Sequence, residues 1–478
     1  MKRILILVLV GVMLLGLCAC QEGGNAQKGL QVGYGRANIT PGYPVPLAGY
    51  GNTSQRMHQG LLDYIYATCI AITDENDSTV LLITTDLIIV PTKIMSDLRK
   101  AVCDATGVPA DRVLIQGTHT HSGPDVWSGE PAIVKYMTEL YANVAKAAAD
   151  AMADRSPATM QTGTGHTEGL NFIRHYTTST GGIFGDNLTL PQGATITGHV
   201  AEPDNEIQLI CFDRAAEDKK DILAVNWQCH PKLNSGGETE EGQANRPMLS
   251  ADFIGGARTY IEEKTDYLFA FYQGAAGNLN PNSKIPGENV STKCKEYSAL
   301  LGDSILEGAK TLTAVESGQV KSAQKIYELE VDSSENHLVP EATTIYSAWV
   351  ESNSAGAAME YATSGEICSV YHAASILSRA NAAIKTSRIE LNAVSVGPIG
   401  FITAPYEMFD VNGMFIKDNS PFDTTFVMTC ANGDNNYIAA EYAFEGSGTY
   451  EVHNRTYPKG SAEALADTFV EMLKSLKG

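Results

Sequence analysis

Apolar, β-branched runs recur along the chain at residues 64–72, 80–90, 112–116, 206–212, 222–227, 267–272 and 389–396, and each reads as a strand. Between them, apolar residues at three-to-four spacing predict helices over 91–105, 132–154, 252–263, 296–312 and 461–476. This alternation predicts an α/β (mixed α+β) fold of mixed β-sheets packed with helices. The Ala- and Ser-rich stretch 340–381 predicts two more helices, joined near Ser364-Gly365. Residues 232–249, rich in Gly, Glu and Asn, read as a surface loop. No Pro/Ser/Thr-rich linker divides the chain, so residues 30–478 are expected to form one large domain.

The amino terminus has a different pattern. Lys2 and Arg3 precede an apolar run from Ile4 to Leu17 that is short for a membrane span and has the layout of an export signal. Its end, Leu17-Cys18-Ala19-Cys20, resembles the bacterial lipobox, in which a small residue precedes the lipidated cysteine. The expectation is a lipoprotein signal peptide over 1–19, Cys20 as the lipidation site, a polar tether over 20–29, and a protein anchored at the extracytoplasmic face of the cell envelope. The alternative is an ordinary export signal carrying two incidental cysteines. Bulky Leu17 before Cys18 makes that cysteine the poorer fit.

Composition narrows the classes. With 44% hydrophobic and 19% charged residues in 478, the chain can build a core, which excludes global disorder and a disulfide-stapled miniature scaffold. A net charge of −21 opposes phosphate binding and excludes a nucleic-acid partner; it also leaves membrane attachment to the lipid. Beyond the signal, Cys69, Cys103, Cys211, Cys229, Cys294, Cys368 and Cys430 form no C-x-x-C pair, and several lie in apolar strings, so free thiols are expected.

Three segments at predicted strand ends carry chemistry. In Gly117-Thr118-His119-Thr120-His121-Ser122-Gly123-Pro124, alternate residues of an extended chain share a face, so His119 and His121 should project together. Such a pair supplies two metal ligands, or one ligand and a hydrogen-bonding partner. In Asn226-Trp227-Gln228-Cys229-His230-Pro231, the proline restricts His230 to extended backbone, which suits a fixed ligand. Gly274-Ala275-Ala276-Gly277-Asn278-Leu279-Asn280-Pro281-Asn282 allows close backbone approach to a substrate or oxyanion, or simply forms a tight loop.

The order of motifs says more than any one of them. Val32-Gly33-Tyr34-Gly35-Arg36-Ala37-Asn38-Ile39-Thr40-Pro41, Leu47-Ala48-Gly49-Tyr50, Arg56, the His119 segment, Asn171-Phe172-Ile173-Arg174, the His230 segment, Leu249-Ser250-Ala251-Asp252 and the Gly274 segment together resemble the neutral (alkaline, non-lysosomal) ceramidase family, collinearly from about residue 31 to the C-terminus. The resemblance implies a zinc amidase domain in which two histidines, a glutamate and a tyrosine hold Zn²⁺. By motif these are His119, His230, Glu407 in Ala404-Pro405-Tyr406-Glu407-Met408-Phe409, and Tyr437 after Cys430-Ala431-Asn432-Gly433-Asp434-Asn435-Asn436, with Tyr442 as a competitor.

In that frame His121 would stabilise an oxyanion or pass a proton to the leaving amine. Asp252 would orient a histidine or cap a helix, and Arg174 would contact a polar substrate head or form a structural ion pair. The chain departs from the family where the latter reads G-D-V-S-P-N with a catalytic serine: Asn280 stands in the serine's place and Asn278 in that of the acid. Asn280 cannot be a nucleophile, although its amide can position water or an oxyanion. No C-terminal immunoglobulin-like domain, as in the ceramidases, is expected, because the chain ends on the amphipathic stretch 461–476.

The leading expectation is a zinc-dependent amidohydrolase that cleaves an N-acyl amide, ceramide-like or another N-acyl lipid, with metal-activated water. The alternatives are a metal-dependent esterase or other hydrolase on a non-lipid substrate, and a non-catalytic surface lipoprotein that binds a lipid or glycan.

Overall fold

The computed structural model describes residues 29–477 apart from 51–55, 187, 189, 191, 235–246, 283, 285–289, 352–365, 368 and 446–447. The signal peptide, Cys18, Cys20, most of the tether, the greater part of the loop 232–249, the junction at Ser364-Gly365 and Cys368 lie outside these residues.

A nine-stranded sheet runs in the order Leu268–Gln273, Ile222–Trp227, Glu206–Arg214, Ser156–His166, Gln31–Asn38, Tyr66–Thr73, Thr79–Thr85, Val113–Gly117, with Thr313–Val315 added against Ser156–His166. Its outermost pairs at both ends are parallel and the rest antiparallel. A second sheet of four strands, Val320–Glu330, Thr386–Val396, Ile399–Ala404 and Thr424–Thr429, ends in the parallel pair of Ile399–Ala404 with Thr424–Thr429.

The two sheets face each other. Ile70, Ile72, Val80, Leu82, Ile210, Phe212 and Tyr272 of the first pack against Val394, Val396, Phe401, Phe426 and Met428 of the second. Alternate residues of the same strands point the other way: Ala67, Cys69, Leu81 and Ile83 meet the helices Thr92–Thr106 and Pro131–Ala153. Leu209, Cys211, Phe269 and Phe271 meet Asp252–Lys264 and Val290–Ala309. The outer face of the second sheet is covered by Ser461–Lys477 and Asp410–Asn419. The result is helix, sheet, sheet, helix, and it explains why the strands read as continuous apolar runs: both faces are covered.

Most predicted elements recur with shifted ends. The clearest difference is at 80–90, where the strand stops at Thr85. Leu87 to Val90 are buried and apolar, which extends the run, but the carbonyls of Leu87 and Ile88 turn away to bond His119. The two helices expected within 340–381 are Val339–Glu351 and Val370–Asn381, lying between the second sheet's strands Val320–Glu330 and Thr386–Val396. Met248–Leu249, assigned to the surface loop, instead pairs with Gly60–Leu61. Cys69, Cys103, Cys211, Cys229, Cys294 and Cys430 are free thiols. Among the described residues no helix is long and apolar enough to cross a membrane.

Candidate functional site

Five chain segments leave the carboxyl ends of parallel-paired strands and converge at one edge of the sheet pair, the usual ligand position in open α/β sheets. They follow Gly117, Trp227, Gln273, Ala404 and Thr429. Polar side chains clasp the two sheets beneath them. Gln116 Nε2 donates to the carbonyls of Gln273 (2.8 Å) and Thr429 (2.6 Å), Asn226 Oδ1 accepts the backbone N–H of Val427 (3.0 Å), and Thr429 Oγ1 donates to the carbonyl of Gly274 (2.7 Å).

His119 and His121 do come together, with ring centroids 5.2 Å apart, but strand alternation is not the cause. The strand ends at Gly117 and His119 has φ +71°, a left-handed conformation that costs a non-glycine residue energy and that clusters at functional sites. The His119 backbone N–H donates to Leu87 O (2.9 Å), and its ring Nδ1 lies 2.8 Å from Ile88 O. Cys430, Asn432 and Asn436, on the segment leading to Tyr437, also have positive φ.

A carbonyl only accepts, so Nδ1 of His119 carries the proton and Nε2 points inward. His230 is fixed the same way, its Nδ1 2.7 Å from Ala276 O and 3.0 Å from Leu279 O. Both inward Nε2 atoms lie 3.1 Å from the same oxygen, Oε2 of Glu407, and the Tyr437 hydroxyl is 3.4 Å from His230 Nε2. Gly277 permits this arrangement: its N–H bonds Met408 O (2.8 Å), and a Cβ there would sit 2.8 Å from Glu407 O.

Two imidazole nitrogens and a carboxylate oxygen that converge on one point need positive charge among them, either a proton or a bound cation. Ligand atoms around a tetrahedral ion at about 2.0–2.2 Å stand roughly 3.3–3.6 Å apart, close to the spacing seen. The donor set therefore fits zinc. The three imidazoles of His119, His121 and His230 also have ring nitrogens within 4.8 Å of one another. Glu407 is the better third donor, because its oxygen is at 3.1 Å from both Nε2 atoms.

The electrostatics agree. Burial acts to raise the Glu407 pKa, but His119 and His230 outweigh it and hold the carboxyl well below the usual range. Burial acts to lower the His119 pKa, and the neighbouring Cys430 and Glu407 reverse this, leaving it well above an ordinary imidazole. His230 is pushed down to about 4, mainly by burial. His121 is also pushed well down, by burial and by the two other imidazoles.

Arg174 is buried with Glu451, their side chains 3% and 1% exposed. Its Nε donates to Glu451 Oε1 (2.7 Å), Nη1 to Asn280 Oδ1 (3.3 Å), and Nη2 to Gly277 O (2.8 Å) and the Tyr437 oxygen (3.3 Å). Asn280 also donates from Nδ2 to Asp186 Oδ2 (3.0 Å). Tyr442 bonds His175 (2.9 Å) and Asn278 (3.1 Å), which leaves Tyr437 as the tyrosine facing His230.

Asp252 does not orient a histidine and instead fills the other role expected of it, at the start of a helix. Its carboxylate accepts the backbone N–H of Asn234 (2.7 Å) and Phe253 (2.8 Å) at the start of Asp252–Lys264, while backbone carbonyls hold His119 and His230.

A cavity of about 370 Å³ opens onto this cluster. Besides His119, His121, Glu407, Tyr437 and Arg174, it is lined by Gly49, Tyr50, Ile88, Lys232, Tyr371, Asn436 and Tyr450. Gly49 has φ +102°, and a Cβ there would lie 2.6 Å from the His121 ring, so only glycine lets this turn lie against the imidazole. Sequence reasoning assigned no role to Lys232, Tyr371, Tyr450 or Glu451. Only Lys232 had a signal, its position directly after His230-Pro231.

The profile of the neutral/alkaline non-lysosomal ceramidase family, N-terminal part, matches residues 30–370. Among solved structures, one described as a ceramidase complexed with C2 superposes with a TM-score of 0.67 at 15% identity, covering 94% of this chain and 75% of that one. The neutral ceramidase from Pseudomonas aeruginosa gives a TM-score of 0.67 at 17% identity, covering 94% of this chain and 74% of that one. No curated protein matches the sequence significantly.

Proposed function

Because the chain belongs to the neutral/alkaline non-lysosomal ceramidase family, we propose that this ceramidase-like hydrolase is zinc-dependent and cleaves a linear N-acyl amide. The observation that carries the reading is the meeting of Glu407 Oε2 with Nε2 of His119 and of His230 at 3.1 Å, both imidazoles being locked by backbone carbonyls behind them. His119, His230 and Glu407 would hold the ion, with the Tyr437 phenol oxygen as the fourth donor. When bound, zinc supplies Lewis acidity toward the amide carbonyl and shifts the ionisation of water toward neutral pH.

The chain's own groups do the rest. His121 stays neutral, so it has one N–H and one lone pair at the cavity wall. Its N–H can donate to the developing oxyanion, or its lone pair can take a proton from the attacking water and pass that proton to the departing nitrogen. Arg174 positions the Tyr437 oxygen and is itself held by Glu451. Asn280 is engaged by Arg174 and Asp186, and with no nucleophilic atom it leaves attack on the carbonyl to water. Attachment to the envelope through a lipid on Cys20 belongs to the same reading; a Cys20→Ser chain should then leave the membrane fraction.

The test is zinc-loaded protein offered N-acyl sphingoid bases, N-acyl amino acids, simple N-acyl amines and esters. Amide cleavage that disappears in His119→Ala supports the proposal. Cleavage of no amide in the panel overturns it.

A further inference from the structure

Of the three imidazoles in the cluster, His121 is held differently. His119 and His230 each turn one ring nitrogen to a backbone carbonyl. His121 is buried too, yet among the described residues neither of its ring nitrogens has a hydrogen-bond partner. An imidazole that serves an oxyanion or moves a proton needs its nitrogens free, so its orientation must come from packing. The rings of His119, His230 and Tyr50 stand edge to face against it at 5.2, 5.4 and 5.4 Å, and Gly49, at φ +102°, lets the turn at 47–50 lie on the imidazole.

Two of these contacts, Gly49 and Tyr50, come from one short stretch, and Arg56 clamps that stretch to His121. Nη1 donates to the carbonyls of Leu47 (3.3 Å) and Ala48 (2.5 Å), directly before Gly49, and Nη2 donates to the carbonyl of His121 itself (3.1 Å). The guanidinium carbon also lies 4.6 Å from the centroid of the Tyr50 ring, a cation–π contact on the ring that abuts His121. The guanidinium is half-buried, burial draws its pKa down, and no carboxylate of the described residues pairs with it. What it holds is backbone: one planar fork joins the two chain segments that set the imidazole, which an ammonium on a flexible stem reproduces poorly.

Resting on the amide-hydrolase reading above, we propose that Arg56 is a positioning residue for His121: by tying the Leu47 and Ala48 carbonyls to that of His121, it fixes the imidazole in the orientation that serves the reaction. Arg56 is absent from the described residues that line the cavity, so its effect should appear in kcat rather than in KM.

The experiment uses the zinc-loaded mature chain, its Arg56→Gln, Arg56→Lys and His121→Ala variants, and the double variant Arg56→Gln/His121→Ala. With an N-acyl amide that the parent cleaves, Arg56→Gln should lose about tenfold or more in kcat, with KM within about twofold and zinc content unchanged, and Arg56→Lys should fall between. In the His121→Ala background Arg56→Gln should cost less than about twofold, because the group it acts through is gone. Costs that multiply in the double variant, or zinc lost from Arg56→Gln, would overturn the inference while amide hydrolysis stands. A second readout needs no activity. The chain has ten histidines, and the imidazole Cε1–H resonance of His121, assigned by its loss in His121→Ala, should shift or broaden in Arg56→Gln more than those of His119 and His230. A His121 resonance that stays in place, or three that move alike, would overturn the inference. Where His121→Ala leaves too little cleavage to compare, the spectrum decides. If the parent cleaves no amide, the hydrolase reading fails, and the spectrum still decides whether Arg56 holds the ring.

Discussion

Glu451 closes its carboxylate on the guanidinium of Arg174 across 277 positions of sequence, with Oε1 2.7 Å from Nε and both side chains buried. Through Arg174 the pair reaches the Tyr437 oxygen, so a residue outside the proposed metal-binding cluster helps set that cluster's geometry. Breaking one side of a buried ion pair strands the other charge, at a cost of about 3–5 kcal/mol. Glu451→Gln should lower the urea-unfolding free energy by an amount of that order. A loss under ~1 kcal/mol would contradict the buried pairing. Arg174, with His175 beside it, outweighs burial and holds the Glu451 carboxyl below its ordinary range, so this contribution is complete at neutral pH and lost only as pH falls into strong acid.

Metal affinity should depend on pH. In the metal-free cluster His119 holds its proton well above the usual imidazole range, and an ion must displace it. Zinc binding should therefore tighten as pH rises, by about tenfold per unit for each displaced proton while pH stays below that pKa. Chelator competition between about pH 6 and 7.5 reads this directly. A flat profile would mean that His119 is not a ligand.

Asp63 predicts a stability trend in the opposite sense to the usual carboxylate. Burial pushes its pKa up to about 7, although it accepts bonds from the Ser250 hydroxyl and the Ala251 N–H. The folded chain keeps this proton over a pH range in which the unfolded chain has lost it. Its contribution is therefore full below about pH 4 and fades as pH rises to about 7. Asp63→Asn should flatten the chain's stability profile across that window, as followed by thermal melts. An unchanged profile would show that Asp63 ionises normally.

The fold was largely legible because both sheet faces are covered: uninterrupted apolar runs such as 222–227 could only be buried strands, and that one matches its observed ends. The ends that moved are where backbone leaves the sheet to serve the site. Leu87 and Ile88 are apolar enough to extend a strand, and nothing local shows that their carbonyls bond His119. His119 and His230 could be read from motifs at strand ends, and Glu407 and Tyr437 only through the family resemblance. Tyr371, Tyr450 and Glu451 could not be read at all, because long-range packing alone brings the two tyrosines together at the cavity and Glu451 to Arg174. Asp252 stayed open for the converse reason: an acid after Ser-Ala before a helix suits both an orienting and a capping role, and only the fold shows that the Asn234 and Phe253 N–H groups take it.

Gly49→Ala tests how tightly the cavity is built around His121. The added methyl would meet the imidazole at 2.6 Å, and the φ of +102° strains any L side chain. Amide cleavage should fall by tenfold or more while zinc content stays near that of the parent. An active variant would show that the position of His121 is unimportant to the reaction.

Asn280→Ser examines the altered wall. If Asn280, tied to Arg174 and Asp186, helps set substrate choice, serine should raise kcat/KM for an N-acyl sphingoid base relative to a compact N-acyl amide. An unchanged ratio would assign that choice elsewhere.

The central claim, that His119, His230 and Glu407 hold a catalytic zinc, is tested most directly by measuring metal content and amide cleavage on the same preparations of the parent, His119→Ala and Glu407→Gln. The account predicts about one zinc per parent chain, with zinc and cleavage lost together in both variants. Cleavage that persists in a zinc-free variant would contradict it.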